Sequence, residues 1–209
     1  MAKHPEPGRV KTRLAAAVGA DRACALYRAF ILDLAERLDT LSYPVSWAYW
    51  PPTAPFGSLL SGARVVPQRG RDLGERMAAA IADELAAGGA PVLIVGADVP
   101  HVPATAFHDA AQALAQDANI VLGPASDGGY YLIGLRAPAH DLFVDIAWGT
   151  AGVFRATHDR ATALGLRTHV LPTTFDVDDA DGLDALRALI VRGDVTLPRT
   201  ARLLTASAS

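Results

Sequence analysis

The stretch PVLIVGADVP, Pro91 to Pro100, decides how the rest of the chain is read. Val92, Leu93, Ile94 and Val95 form an unbroken apolar run, the pattern of a strand covered on both faces. Gly96 and Pro100 punctuate its end, which sets Asp98 just past the strand's carboxyl edge, where open α/β sheets bind their ligands. The same carboxylate would equally cap a helix beginning near Pro103. Both readings are open on this stretch alone.

Sequence on the amino side supplies helices and short strands. Asp21 to Leu41 carries Leu26, Phe30, Leu34 and Leu38, with Tyr27 and Ile31 beside them, at the spacing of a long helix whose stripe is core. Val45, Trp47 and Tyr49 alternate with smaller residues as a strand within Pro44 to Tyr49, and Arg64 to Pro67 reads as another. Trp47 and Trp50 read as packing residues. Leu73, Met77, Ile81 and Leu85 predict a helix over Leu73 to Ala87, and the charges of GRDLGERM at its start read as a solvated face whose glycines leave room for a nucleotide contact.

On the carboxyl side a helix is expected from Pro103 to Ala115, then a strand at Ile120 to Leu122. In SDGGYYLIGL, Asp127 precedes Gly128 and Gly129 and a strand from Tyr130 to Leu135. Adjacent glycines supply no packing and cost conformational entropy, so either a hairpin turn or close approach of a ligand must explain them. WGT, Trp148 to Thr150, leads into a helix over Ala151 to Leu164 with Thr150 as its cap. Arg167 to Leu171 is the last strand, followed by FDVDDADGL and a helix from Gly182 to Arg192. The segment after Gly193 has weak periodicity and receives no assignment.

In an extended FDVDDADGL segment Asp176 and Asp178 share a face. Two carboxylates about 4 Å apart repel by roughly 4 kcal/mol at an effective dielectric of 20, so an aligned, partly buried pair implies a cation between them. The bland alternative has Asp179 or Asp181 capping the following helix; the two are compatible, with Asp181 as cap and Asp176 and Asp178 as ligands. At the other end of the chain, KHPEPGRVKTRL gathers Lys3, Arg9, Lys11 and Arg13 around Gly8, a composition suited to a phosphate chain or else a solvated basic face. The spacing does not match the G-x-x-x-x-G-K-[ST] phosphate loop. Only Met1 and Ala2 precede Lys3, so the first strand expected before such a loop is truncated: the start is shortened, or the sheet manages without it.

Composition bounds the alternatives. A chain of 209 residues, 51% hydrophobic and 20% charged, suits one domain, 1–209, and not disorder. A net charge of −3 gives no general attraction for nucleic acid or membrane. Cys24 is the lone cysteine, expected buried, so an internal disulfide and multi-cysteine metal sites are excluded and a reducing cytoplasm fits. The uncharged run from Thr40 to Ala63 is broken by Pro44, Pro51, Pro52 and Pro55, which excludes a spanning helix, and no signal peptide is read. The six histidines form no H-E-x-x-H and no close pair, His101 alone lying near the Asp98 loop, and no G-x-S-x-G elbow is present.

In their order, KHPEPGRVKTRL, GADVP, SDGGYYLIGL, WGT and FDVDDADGL resemble the bacterial glycosyltransferase family found with radical S-adenosylmethionine proteins. That family lies in the GT-A nucleotide-diphospho-sugar transferase superfamily and is sister to 2-phospho-L-lactate guanylyltransferase. The resemblance implies a single-domain, three-layer α/β/α fold with a Rossmann-like mixed sheet. It implies a nucleotide held by Lys3, Gly8, Arg9, Lys11, Thr12, Arg13 and Ala97, with Lys11, Arg13 and Asp98 catalytic. Asp98, Asp176 and Asp178 would hold Mg2+ or Mn2+, and Asp127, Gly128, Gly129, Trp148 and Thr150 would face the second substrate. The implied activity is metal-dependent glycosyl transfer from a nucleoside diphosphate-sugar to a small-molecule acceptor. The alternatives are nucleotidyl transfer from a nucleoside triphosphate to a small phosphorylated acid, and a non-catalytic nucleotide-binding module.

Overall fold

The computed structural model describes residues 1–205 and divides into two compact units, both mixed in helix and strand. The first unit comprises 1–67, 97–102 and the described residues from Asp176 onward; the second comprises 68–96 and 103–175.

In the first unit β1 (Ala2–Lys3), β2 (Ser46–Trp50) and β3 (Arg64–Pro67) form a parallel sheet in that order. β1 is only two residues long, yet it is anchored. Ala2 and Lys3 pair with Tyr49 and Trp50, the His4 N–H donates to the Trp50 carbonyl at 2.7 Å, and the Ala97 N–H donates to the Met1 carbonyl at 3.1 Å. The basic loop therefore leaves a fixed point.

Helix α1 (Thr12–Val18) packs on α2 (Ala20–Asp39), whose expected stripe of Leu26, Tyr27, Phe30, Ile31, Leu34 and Leu38 is buried. Each such side chain contributes roughly 1.5–3 kcal/mol on leaving water. Cys24 is buried on the same helix, and Trp47 packs against Phe56. Helix α6 (Ala180–Arg192) packs on α1. The unassigned tail forms a further helix, α7 (Pro198–Thr205), capped from a distance. The buried Asp33 carboxylate of α2 accepts from the Arg199 and Thr200 N–H groups at 3.1 and 2.9 Å and from the Thr200 hydroxyl at 2.7 Å. A cap borrowed from 166 residues away leaves no local signature.

In the second unit β4 (Val92–Val95), β5 (Ile120–Pro124), β6 (Tyr130–Leu135) and β7 (Thr168–Val170) run in the order β4-β6-β5-β7. β6 is antiparallel to both neighbours and β7 is parallel to β5. The apolar run of β4 is half-buried rather than covered on both faces, because β4 is an outer strand of this sheet; the fully buried strand is β5. Helices α3 (Leu73–Ala86), α4 (Ala104–Ala115) and α5 (Val153–Ala163) pack on these strands. GRDLGERM is a helix start held by its own groups. Asp72 accepts from the Glu75 N–H at 2.9 Å, and Glu75 accepts from the Arg71 N–H at 2.8 Å. Among the described residues no helix is long and apolar enough to cross a membrane.

Candidate functional site

Three stretches far apart in sequence meet within the first unit. After Gly8, at a φ of 75° with open space where a Cβ would lie, the chain turns into α1 through Lys11. Lys11 is left-handed, with φ 49° and ψ 46°, a conformation that costs a non-glycine residue roughly 1–2 kcal/mol. That turn sends its side chain inward, where it is 3% exposed, onto two carboxylates. The Lys11 Nζ contacts Asp98 Oδ1 and lies 2.5 Å from Asp178 Oδ1. Arg13 reaches Asp178 Oδ2 at 2.9 Å and Asp176 Oδ2 at 3.9 Å from the solvent side. Lys11 and Arg13 thus set two protein cations against the three aspartates.

Burial pulls the Lys11 ammonium down, but the charges of Asp98 and then Asp178 outweigh it, so Lys11 titrates above its ordinary range. Burial would push Asp178 up; the Lys11 charge, with hydrogen bonds from Lys11 and Arg13, holds it below the usual carboxylate range. Both partners stay charged at neutral pH. The Asp98 and Asp178 side chains remain 45% and 34% exposed, so their carboxylates are reachable from water while the ammonium is not.

The aspartate segments are held by their backbones. Asp98 does not cap the next helix: the cap position of α4 is Pro103 and takes no side-chain bond. Its carbonyl accepts instead from the Val177 N–H at 3.0 Å, tying the two acidic stretches together. Asp179, not Asp181, caps α6, accepting from the Gly182 N–H at 3.0 Å. A Cβ on Gly182 would lie 2.7 Å from the Asp176 carbonyl oxygen, so the glycine lets α6 begin against the acidic segment.

Two positioning residues escaped the sequence reading. The Tyr27 ring lies under Lys11, 5.3 Å from Nζ, and its hydroxyl accepts from the Lys3 N–H at 3.0 Å. Burial first, and Asp98 second, keep that phenol protonated. Arg37, further along α2, donates to the Pro100 carbonyl and to the Val102 carbonyl at 2.6 Å, clamping the loop that follows Asp98. Tyr27 sat in the apolar stripe and gave no polar signal, whereas Arg37 falls on the spacing of Phe30 and Leu34, an inward position for a charge. His101 is buried in that loop; burial, and then Arg37, lowers its imidazole to about 4, so it is neutral.

Of the other nucleotide-binding candidates, Ala97 is buried, while the side chains of Lys3, Arg9 and Thr12 are exposed, Arg9 pairing with Glu6 at 3.3 Å. The second-substrate candidates lie in the second unit. Asp127 Oδ1 accepts from the Gly129 N–H at 2.8 Å, within a turn closed by Gly129 carbonyl to Ala125 N–H and Ala125 carbonyl to Gly128 N–H, each 3.0 Å. Gly128 has φ 89°, and a Cβ there would lie 2.0 Å from the Ala151 carbonyl oxygen. The turn and the close approach of Ala151 therefore account for Gly128. Trp148 packs its indole on Gly74, with Tyr130 edge-on at 6.5 Å and Phe143 at 6.4 Å. Thr150 does not cap α5, which begins at Val153; its hydroxyl donates to the Ala147 carbonyl at 2.8 Å and closes the WGT turn.

An oxygen-only donor set suits magnesium or manganese. Magnesium is commonly held by one or two carboxylates plus substrate phosphates. Asp98 and Asp178, brought together on the Lys11 ammonium, offer two such carboxylates, and among the described residues no group of three or more His, Cys, Asp or Glu side chains could hold a metal by itself.

The chain is 35% identical to a candidate nucleotide-diphospho-sugar transferase from Desulfovibrio desulfuricans G20, over 97% of this chain and 90% of that one, with a TM-score of 0.90. It shares its fold with a CMP:2-keto-3-deoxy-manno-octonic acid synthetase solved with CTP, at 13% identity and a TM-score of 0.56 over 78% of this chain and 88% of that one. No curated protein matches it by sequence. The fold is thus that of the nucleotide-diphospho-sugar transferases. Residues 33–150 match the family described as uncharacterized protein conserved in bacteria (DUF2064), and the chain belongs to that family.

Proposed function

We propose that this protein is a metal-dependent glycosyltransferase that takes a nucleoside diphosphate-sugar as donor. The observation that carries the reading is the convergence of the buried Lys11 and the solvent-side Arg13 on Asp98, Asp176 and Asp178. Lys11 and Arg13 would bind the diphosphate oxygens, and Asp98 and Asp178, with Asp176 beside them, would hold Mg2+ or Mn2+. When bound, the cation offsets charge developing on the leaving diphosphate. Tyr27 and Arg37 keep Lys11 and the Asp98 loop in place for this.

The donor class is supported by the relative from Desulfovibrio desulfuricans G20. Asp127, Gly128, Gly129, Trp148 and Thr150 are the proposed acceptor-side residues. A thermal-shift screen with magnesium tests the reading, because a ligand of the native state raises its melting temperature. Nucleoside diphosphate-sugars should raise it and the Asp98→Ala variant should lose the shift. A shift from nucleoside triphosphates alone would point to nucleotidyl transfer with release of pyrophosphate, and a shift indifferent to Asp98→Ala and to chelation would point to a binding module without catalysis.

A further inference from the structure

The placement of Lys11 carries a consequence for how the site is filled. A phosphate-binding lysine on a basic loop normally points to solvent, but this one is 3% exposed and its ammonium lies between Asp98 and Asp178, the two carboxylates a metal would need. Its backbone is left-handed, so local strain is spent on directing it there. The carboxylates are open to water on their other side. Two aligned carboxylates with no cation between them would repel, and Lys11 removes that cost.

We propose that Lys11 is the site's resident cation: it holds Asp98 and Asp178 together in the ligand-free protein, competes with a divalent metal for the same two carboxylates, and is released when phosphate oxygens take it. The inference rests on the metal-dependent reading above and adds an order to it. Free metal is disfavoured, and metal enters together with the phosphate that draws Lys11 away. Arg13 sets the contrast. It carries the same charge and lies 2.9 Å from Asp178, but it approaches from solvent, is 59% exposed and does not stand between the carboxylates.

Calorimetric titration of the whole protein with Mn2+ alone tests this, with paramagnetic resonance counting the bound ion. Wild type should bind weakly, and Lys11→Gln and Lys11→Met at least about tenfold more tightly. Arg13→Gln, removing an equal but exposed charge, should change affinity by no more than about threefold. Asp98→Asn added to Lys11→Gln should erase the gain. Two Lys11 variants are used so that one that fails to fold does not end the test. If Lys11 variants bind Mn2+ no more tightly than Arg13→Gln, the competition is wrong, and if wild type still binds Mn2+ in the presence of a nucleoside diphosphate the metal-dependent reading survives it. If no protein binds Mn2+ under either condition, both fall together.

Discussion

Two acidic turns of this protein look alike in sequence and behave differently in the structure. In SDGGY the Asp127 carboxylate folds onto the amide of Gly129, two residues away, and Gly128 is required by the backbone of Ala151. In FDVDDADGL one aspartate, Asp179, is used in the same local way, while Asp176 and Asp178 face cations brought from more than 160 residues earlier. A carboxylate bonded to its own turn has a structural use whether or not a ligand meets it. One that long-range packing has set against buried charge, with an open side left to water, is available to a ligand.

The largest expected effect tests the first half of that contrast. Gly128→Ala sets a Cβ on the Ala151 carbonyl at a positive φ and should destabilise the fold by about 4 kcal/mol or more, read from the denaturant midpoint. A loss below about 1 kcal/mol would mean that the turn tolerates movement and that the glycines are kept for a ligand instead. Next in size, Asp178→Ala should remove about 3 kcal/mol, near 100-fold, of metal-dependent nucleotide affinity by calorimetry, without changing the far-ultraviolet circular dichroism. Unchanged affinity would make the second cluster as structural as the first.

Acid response separates the groups of the first unit. His101 has a pKa near 4 in the folded chain against an ordinary 6.5, so between these values the unfolded chain takes a proton that the native one does not. Stability therefore falls as the pH drops through that window, by about 2 kcal/mol from pH 7 to 5, and His101→Gln should flatten the curve. The Asp178 contribution runs at lower pH. Its folded pKa is depressed, so its stabilisation is complete above the usual carboxylate range and is lost only as the pH falls below about 4. An acid transition unchanged by His101→Gln would show that the Asp98 loop is not the sensitive element.

Most of the elements were legible because their periodicity is local: the stripe of α2, the apolar runs of β5 and β6, and the position of Asp98 three residues after β4 follow from neighbours in the chain. The charged types at Lys11, Arg13, Asp98, Asp176 and Asp178 were also legible. Their pairing was not, since a lysine read as a phosphate ligand, or else as part of a solvated face, is buried by a left-handed turn that nothing in the residue itself announces. The cap that makes α7 a helix, the Arg37 clamp and the Tyr27 platform all depend on partners distant in sequence. Val92 to Val95 misled in the other direction, because apolar composition reports on what a strand avoids and not on how many neighbours it has.

The smallest prediction bears most directly on that difference. Asp127 keeps one hydrogen bond, to the Gly129 amide, at an exposed turn, so Asp127→Ala should cost about 1 kcal/mol of stability and leave nucleotide affinity within error of wild type. Asp127→Asn retains an acceptor oxygen for that amide and removes only the charge, so it should recover most of the lost stability. If the carboxylate also meets an acceptor substrate, the asparagine variant will fold as wild type yet show a raised KM for the acceptor, with the nucleotide constant unmoved. A raised KM in the stable variant therefore assigns Asp127 to the chemistry, and an unchanged one leaves it to the turn.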